Sequence, residues 1–157
     1  MSRRQHDSRI AAVRRFNRFY TRQIGVLRKN FLDSPYSLGE ARVLYEIGNG
    51  NARTATEIGR ALDLDAGYLS RVLRDFEKRA LIRRETSERD ARQSHLTLSL
   101  RGRKAFALLN RLSQRDIGAM LGKLGPARQT QLIAAMNIIE QLLGGEDGPS
   151  ERRGYIV

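Results

Sequence analysis

The sequence predicts a mainly α-helical fold with a small β-hairpin wing: a winged helix-turn-helix flanked by long N- and C-terminal helices. Three observations predict it. Between residues 37 and 79, three short amphipathic stretches each open on a residue suited to capping a helix. Directly after them, the apolar residues switch from a spacing of three or four to an alternation of two. On either side, helical spacing runs over longer stretches. A period near 3.6 marks an amphipathic helix, and a period of two marks a half-buried strand.

The first helix, over residues 8–32, places Ile10, Val13, Phe16, Tyr20, Ile24, Leu27 and Phe31 on one face, with Arg14, Arg15, Arg18, Arg22 and Arg28 opposite. Either another subunit or the chain's own domain covers that apolar stripe. Asp33-Ser34-Pro35 ends the helix, because proline disfavours helical geometry in the residue before it. Ser37-Leu38-Gly39-Glu40 fits a capping box, and Leu38, Ala41, Leu44 and Ile47 form the buried stripe of a second helix. Gly48-Asn49-Gly50 stops it. Thr54-Ala55-Thr56-Glu57 is a second capping box, opening a third helix that carries Ile58, Ala61 and Leu62. Gly59 is small where two helices approach. Asp63 occupies the turn, since aspartate tolerates the left-handed conformation. Asp65 caps a fourth helix running to about Arg79.

Leu81 to Thr86 forms a strand, residues 87–93 a polar turn, and Leu96, Leu98 and Leu100 alternate with Thr97 and Ser99 as a second strand. From Arg101 the helical period returns through Ala105, Phe106, Leu109, Leu112, Ile117, Met120 and Leu124. Gly125-Pro126 starts a last helix with proline at its first position. Residues 146–157 have the polar composition of a linker or tail, although Tyr155-Ile156-Val157 has strand propensity.

A length of 157 residues fits one domain, here residues 1–145. Lys and Arg number 29 against 17 Asp and Glu, a net charge of +12. Such an excess favours a polyanionic partner, most commonly nucleic acid, although a basic surface also serves solubility. The absence of cysteine excludes disulfides, cysteine zinc sites and thiol redox sensing. His6 and His95 stand far apart, so no metal cluster, cofactor or histidine-based catalytic triad is expected, and the chain reads as no enzyme. No apolar run approaches the roughly 18 residues of a membrane span, and the N-terminus lacks a secretory pattern. A cytoplasmic protein without membrane contact is expected.

A recognition helix needs small or polar residues that reach base edges and an apolar back that sets its angle. On the fourth helix Ala66, Gly67, Ser70, Arg71 and Arg74 fall outward, and Leu69, Leu73 and Phe76 inward. Arg71 or Arg74 can pair bidentately with guanine, worth ~1–3 kcal/mol of discrimination. Tyr68 can meet a phosphate or a thymine methyl, and Thr54 completes the set of major-groove candidates. For Arg74, an ion pair with Asp75 or Glu77, or a solvated surface arginine, is the alternative. At the hairpin tip, Arg89 and Arg92, braced by Asp90, suit a narrow minor groove.

Leu62-Asp63-Leu64-Asp65, Ser70-Arg71, the run Phe76 to Ile82, Asp90-Ala91-Arg92 and the Leu98-x-x-x-Gly102 spacing resemble the MarR family of bacterial transcriptional regulators over about residues 8–145. The resemblance implies a homodimer whose helices at 8–32 and 101–145 interlock, with residues 37–100 as the winged helix-turn-helix lobe. It implies a sequence-specific regulator, a repressor released by a small-molecule effector, that reads a pseudo-palindromic operator in double-stranded DNA. Ser70 and Arg71 match its recognition helix, and Asp90 and Arg92 its wing. Ala80 stands where the family usually has glycine. An aromatic or carboxylate effector would sit between the dimerisation helices and the lobe, near Phe16, Tyr20, Tyr36 and Arg14 or Arg15; those aromatics would equally serve as core. The lack of cysteine argues against the peroxide-sensing branch, and the scarcity of histidine against a metal-sensing one.

The segments RFNRFYTRQIGVLRKNFLDSPYSLGEARVLYEI and DLDAGYLSRVLRDFEKRALI are also similar to a subgroup in which a MarR-type domain precedes a GNAT acetyltransferase domain. Two further readings therefore stand beside the regulator: the N-terminal regulatory part of such a fusion, and a non-specific, nucleoid-like DNA binder.

Overall fold

Local signals place the central helices. The structure is a computed structural model that describes residues 3–25, 31–86 and 94–144. Within them the order is α1 (Arg3–Gln23), α2 (Leu38–Asn49), α3 (Ala55–Leu62), α4 (Ala66–Lys78), β1 (Ile82–Thr86), β2 (Ser94–Leu98), α5 (Leu100–Leu121) and α6 (Pro126–Leu143). The mainly helical fold with one hairpin is therefore present. Ser37 and Thr54 each close a full capping box, with Glu40 and Glu57 reaching back to the cap backbone. Asp65 caps α4 by accepting from the Tyr68 N–H at 2.9 Å. Asp63 lies in the left-handed region (φ 49°), as the turn between α3 and α4 requires. Gly59 is less demanding than its place suggested: a Cβ there would meet Leu69 at 3.5 Å, an ordinary contact.

The chain divides into two compact parts, Met1–Leu109 and Asn110–Val157. In the first, Val43, Leu44, Ile58, Leu73, Phe76, Leu81 and Leu96 are buried and make the core shared by α2, α3, α4 and the hairpin. The strands are antiparallel, from Ile82 opposite Leu98 to Thr86 opposite Ser94. The Arg53 carbonyl accepts from the Leu96 N–H at 2.7 Å, which ties the segment before α3 to the outer edge of β2. In the second part, Gln129 closes the turn between α5 and α6 by donating to the carbonyls of Leu121 and Leu124, both at 3.0 Å.

Two boundaries differ from the sequence expectation. The first helix does not run over 8–32: it begins at Arg3 and stops at Gln23, where Gly25 takes φ 67°. Phe31 belongs to a separate turn through Tyr36. That turn is closed by Phe31 N–H to Tyr36 C=O at 2.8 Å and by the buried Ser34 hydroxyl donating to Phe31 C=O at 2.6 Å. These bonds hold Leu32 and Asp33 at positive φ. Leu100 is not the last alternating residue of a strand but the first of α5, exposed to 62%. Ser99 caps that helix, its hydroxyl accepting from the Gly102 N–H at 3.0 Å. The alternation therefore ends at Leu98.

A tight corner joins α4 to the hairpin and to α5. Ala80 N–H bonds Glu77 C=O and Leu81 N–H bonds Phe76 C=O, the paired closure of a Schellman motif, with Leu81 and Phe76 both buried. Ala80 takes φ 54° there, where a glycine would be unstrained. Its carbonyl accepts from the Ser99 hydroxyl at 2.6 Å, and the Leu81 carbonyl accepts from the Ser99 N–H at 2.9 Å. Gly102 packs directly on this corner: a Cβ there would lie 1.9 Å from the Leu81 carbonyl oxygen.

Candidate nucleic-acid interface

The buried side of α4, Leu69, Val72, Leu73 and Phe76, anchors it against the lobe and leaves one face to solvent. On that face Ala66, Gly67, Ser70, Arg71, Arg74 and Lys78 are exposed. Arg71, Arg74, Asp75 and Lys78 line a shallow open groove along the helix. Lys78 was absent from the sequence expectation, although its place four residues beyond Arg74 and seven beyond Arg71 marks it as a neighbour on the same face.

The acids of α4 are occupied elsewhere. Asp75 pairs with Arg79 at 3.0 Å, and Glu77 pairs with Arg84 of β1. Arg79 also approaches Glu40 at 3.6 Å and lies over the buried ring of Tyr36 at 4.8 Å. Arg79 and Arg84 thus hold the end of α4 to the start of α2 and to the wing. Neither Arg71 nor Arg74 has an acidic partner among the described residues, so the ion pair considered for Arg74 is not formed. Instead, the Arg74 Nε–H donates to Ser70 C=O at 3.3 Å, and Arg71 stands 5.8 Å from the Tyr68 ring.

Tyr68 is half-buried and turned toward α2, with its hydroxyl at the place a Gly39 side chain would fill. Its position supports Arg71 and the packing of α4 on α2. Thr54 is half-buried, its hydroxyl accepting from the Glu57 N–H at 3.2 Å. Two backbone N–H groups, of Arg53 and Thr54, bond the Glu57 carboxylate at 2.8 and 2.9 Å and hold it below the usual carboxylate range. Arg89, Asp90 and Arg92, like the tail at 146–157, lie outside the described residues.

The effector candidates do not form one cluster. Phe16 and Tyr20 stack on α1, ring centroids 5.7 Å apart and planes 7° from parallel. Arg14 is exposed and, two residues from Phe16, projects from the opposite side of the helix, about 200° around at 3.6 residues per turn. Tyr36 is buried under Arg79. Among the described residues no helix is long and apolar enough to cross a membrane, and no group of three His, Asp or Glu side chains could hold a metal ion.

A model of the MarR family matches residues 34–93. No curated protein matches the chain. Several solved structures share its fold. BpsR of Bordetella bronchiseptica, whose DNA binding is regulated by 6-hydroxynicotinic acid, is 18% identical with a TM-score of 0.65, over 83% of this chain and 98% of its own. FabT of Streptococcus pneumoniae, solved in complex with DNA, is 20% identical with a TM-score of 0.64, over 89% and 96%. MepR of S. aureus, also solved with DNA, is 17% identical with a TM-score of 0.66, over 82% and 95%. A MarR family model thus matches residues 34–93, and the chain shares the winged helix-turn-helix fold of these solved structures.

Proposed function

We propose that this protein is a dimeric, sequence-specific DNA-binding regulator of transcription, a repressor released by a small effector. The observation that carries the reading is the outward face of α4. Ser70, Arg71 and Arg74 are exposed there without acidic partners among the described residues, on a helix whose back is buried and whose acids are engaged by Arg79 and Arg84. Arginine's planar fork suits guanine in the major groove. A homodimer is supported by apolar side chains left in solvent: Val13, Phe16 and Phe19 on α1, and Ile133, Ile138 and Leu142 on α6 are 42–78% exposed. Such surface calls for a partner. Two copies of α4 about 34 Å apart would read successive major grooves of a pseudo-palindromic site. The wing residues Arg89, Asp90 and Arg92 are proposed for the adjacent minor groove.

An aromatic or carboxylate effector, as 6-hydroxynicotinic acid is for BpsR, would bind beside the Phe16–Tyr20 stack and bias the spacing of the two reading helices. The finer assignment, to the subgroup that precedes a GNAT acetyltransferase, rests on the two segments at residues 15–47 and 63–82 alone; a stop codon directly after Val157 removes it. A chromosome-bound regulator works in the cytoplasm.

Selection of bound sites from a random duplex pool, with and without aromatic acids, tests the reading. On the selected site Arg71→Ala is expected to lose affinity by about 5- to 150-fold, equivalent to the ~1–3 kcal/mol of one bidentate pairing. On random duplex it is expected to lose much less. Equal losses on both refute base reading.

A further inference from the structure

The positive charge of this chain is not where the helix-turn-helix is. Residues 31–86, from the turn before α2 to the end of β1, hold nine basic and nine acidic side chains. The reading lobe is electrically balanced over that stretch. By contrast α1 holds seven arginines against the single acid Asp7, which is +6 of the chain's +12.

Six of those seven share one face, which also carries Asp7, whereas Arg9 lies on the opposite side. At 3.6 residues per turn, Arg3, Arg4, Arg14, Arg15, Arg18 and Arg22 fall within an arc of about 120°. Phe16, Tyr20 and Val13 lie on the other side. All six arginines are exposed, no residue of α1 is buried, and none of the six has an acidic partner among the described residues. The arrangement works against the helix itself. Arg14, Arg18 and Arg22 repeat at four-residue spacing, where like charges repel. Arg3 and Arg4 stand in a first turn with no acid, where the helix dipole already disfavours cations. A polyanion lying along this face would relieve both.

We propose that the arginine face of α1 is a second, sequence-independent binding surface for the phosphate backbone of duplex DNA, separate from the reading face of α4. From Arg4 to Arg22 it extends about 27 Å at 1.5 Å per residue. Over that length a duplex presents roughly 16 phosphate charges, one per ~1.7 Å of axis. The guanidinium fork matches phosphate geometry, and an array of such pairings yields affinity without sequence preference. This surface stands whether or not α4 reads bases.

The test is equilibrium binding of the full chain to a random-sequence duplex across a salt series. Arg4→Gln/Arg18→Gln/Arg22→Gln is expected to bind at least tenfold more weakly at low salt. Its plot of log affinity against log salt is expected to flatten by about 0.9 for each phosphate that is no longer neutralised. The same three positions changed to Lys are expected to keep the slope. Arg71→Ala/Arg74→Ala is expected to lose preference for a selected site.

An unchanged affinity and slope in the Gln variant overturns the proposal, and so does an equal loss in the Lys variant, because charge would then not be the cause. Loss of binding to phosphatidylserine vesicles with duplex binding intact also overturns it. A wild-type chain without any preference for a selected site would instead refute the reading of α4 and leave the α1 result standing.

Discussion

Replacing Gly102 by alanine tests the corner that sets α4, the hairpin and α5 against one another. The new Cβ would stand 1.9 Å from the Leu81 carbonyl oxygen, whereas real Cβ atoms essentially never come closer than 3.0 Å. The first turn of α5 must therefore retreat by about 1 Å, since both clashing groups lie on or next to the backbone. That retreat pulls on the Ser99 N–H bond to Leu81 C=O (2.9 Å) and on the Ser99 hydroxyl, which bridges Ala80 C=O and Gly102 N–H. Overpacking costs about 1–3 kcal/mol, and a weakened buried hydrogen bond adds about 1 kcal/mol. Alanine returns up to about 1 kcal/mol through helix propensity and a less flexible unfolded chain. The net expectation is a loss of about 1–4 kcal/mol, or roughly 2–16 °C in Tm for a chain of this size. Urea unfolding followed by circular dichroism would read it as a lower midpoint at unchanged slope. A variant as stable as the parent would refute the close approach of α5 to Leu81.

Other outcomes follow from individual side chains. Ala80→Gly relieves a left-handed alanine worth ~1–2 kcal/mol and gives back ~0.4–1 kcal/mol in chain entropy, so a modest rise in the urea midpoint is expected; a fall would contradict the φ of 54°. Glu57 has its pKa lowered from 4.5, chiefly by the Arg53 and Thr54 backbone N–H groups. Its contribution to stability is therefore present above pH 4.5 and lost as pH falls through the depressed value. Glu57→Gln should unfold with a shallower acid dependence below pH 4.5, and an identical acid profile would remove that role. Glu46 is the opposite case: burial raises its pKa above 4.5, with Arg42 partly opposing. Its stabilising contribution is full below pH 4.5 and is lost as pH rises through the raised value. Glu46→Gln should therefore be the more stable form at neutral pH, and equal midpoints at pH 4 and pH 7 would argue against it.

What could be read in advance was local. Ser37, Thr54 and Asp65 cap their helices through bonds that reach only three residues ahead, so neighbouring sequence suffices to foresee them. The same holds for Asp63 in its turn. Failure came where distant parts decide. Apolar spacing continues past Gln23 to Phe31, yet Gly25 breaks the helix and a hydrogen-bonded turn through Ser34 takes Phe31 into the core. At Leu100 the alternation of leucines persists by coincidence: Ser99 caps a helix there, and Leu100, its first residue, is exposed and does not share the buried face of Leu96. At the candidate site, periodicity found Ser70, Arg71 and Arg74. It could not reveal that Asp75 and Glu77 are claimed by Arg79 and Arg84, since those pairings depend on how the end of α4 meets α2 and β1. Net charge pointed to a polyanion but not to the helix that carries half of it.

The Ser99 corner also has a mechanical meaning. One serine fastens the exit of α4 to the root of α5: its hydroxyl donates to Ala80 C=O and accepts from the Gly102 N–H, and its own N–H donates to Leu81 C=O. The last turn of α4 and the first turn of α5 therefore share one side chain as their fastening, so a change at Ser99 reaches both helices at once.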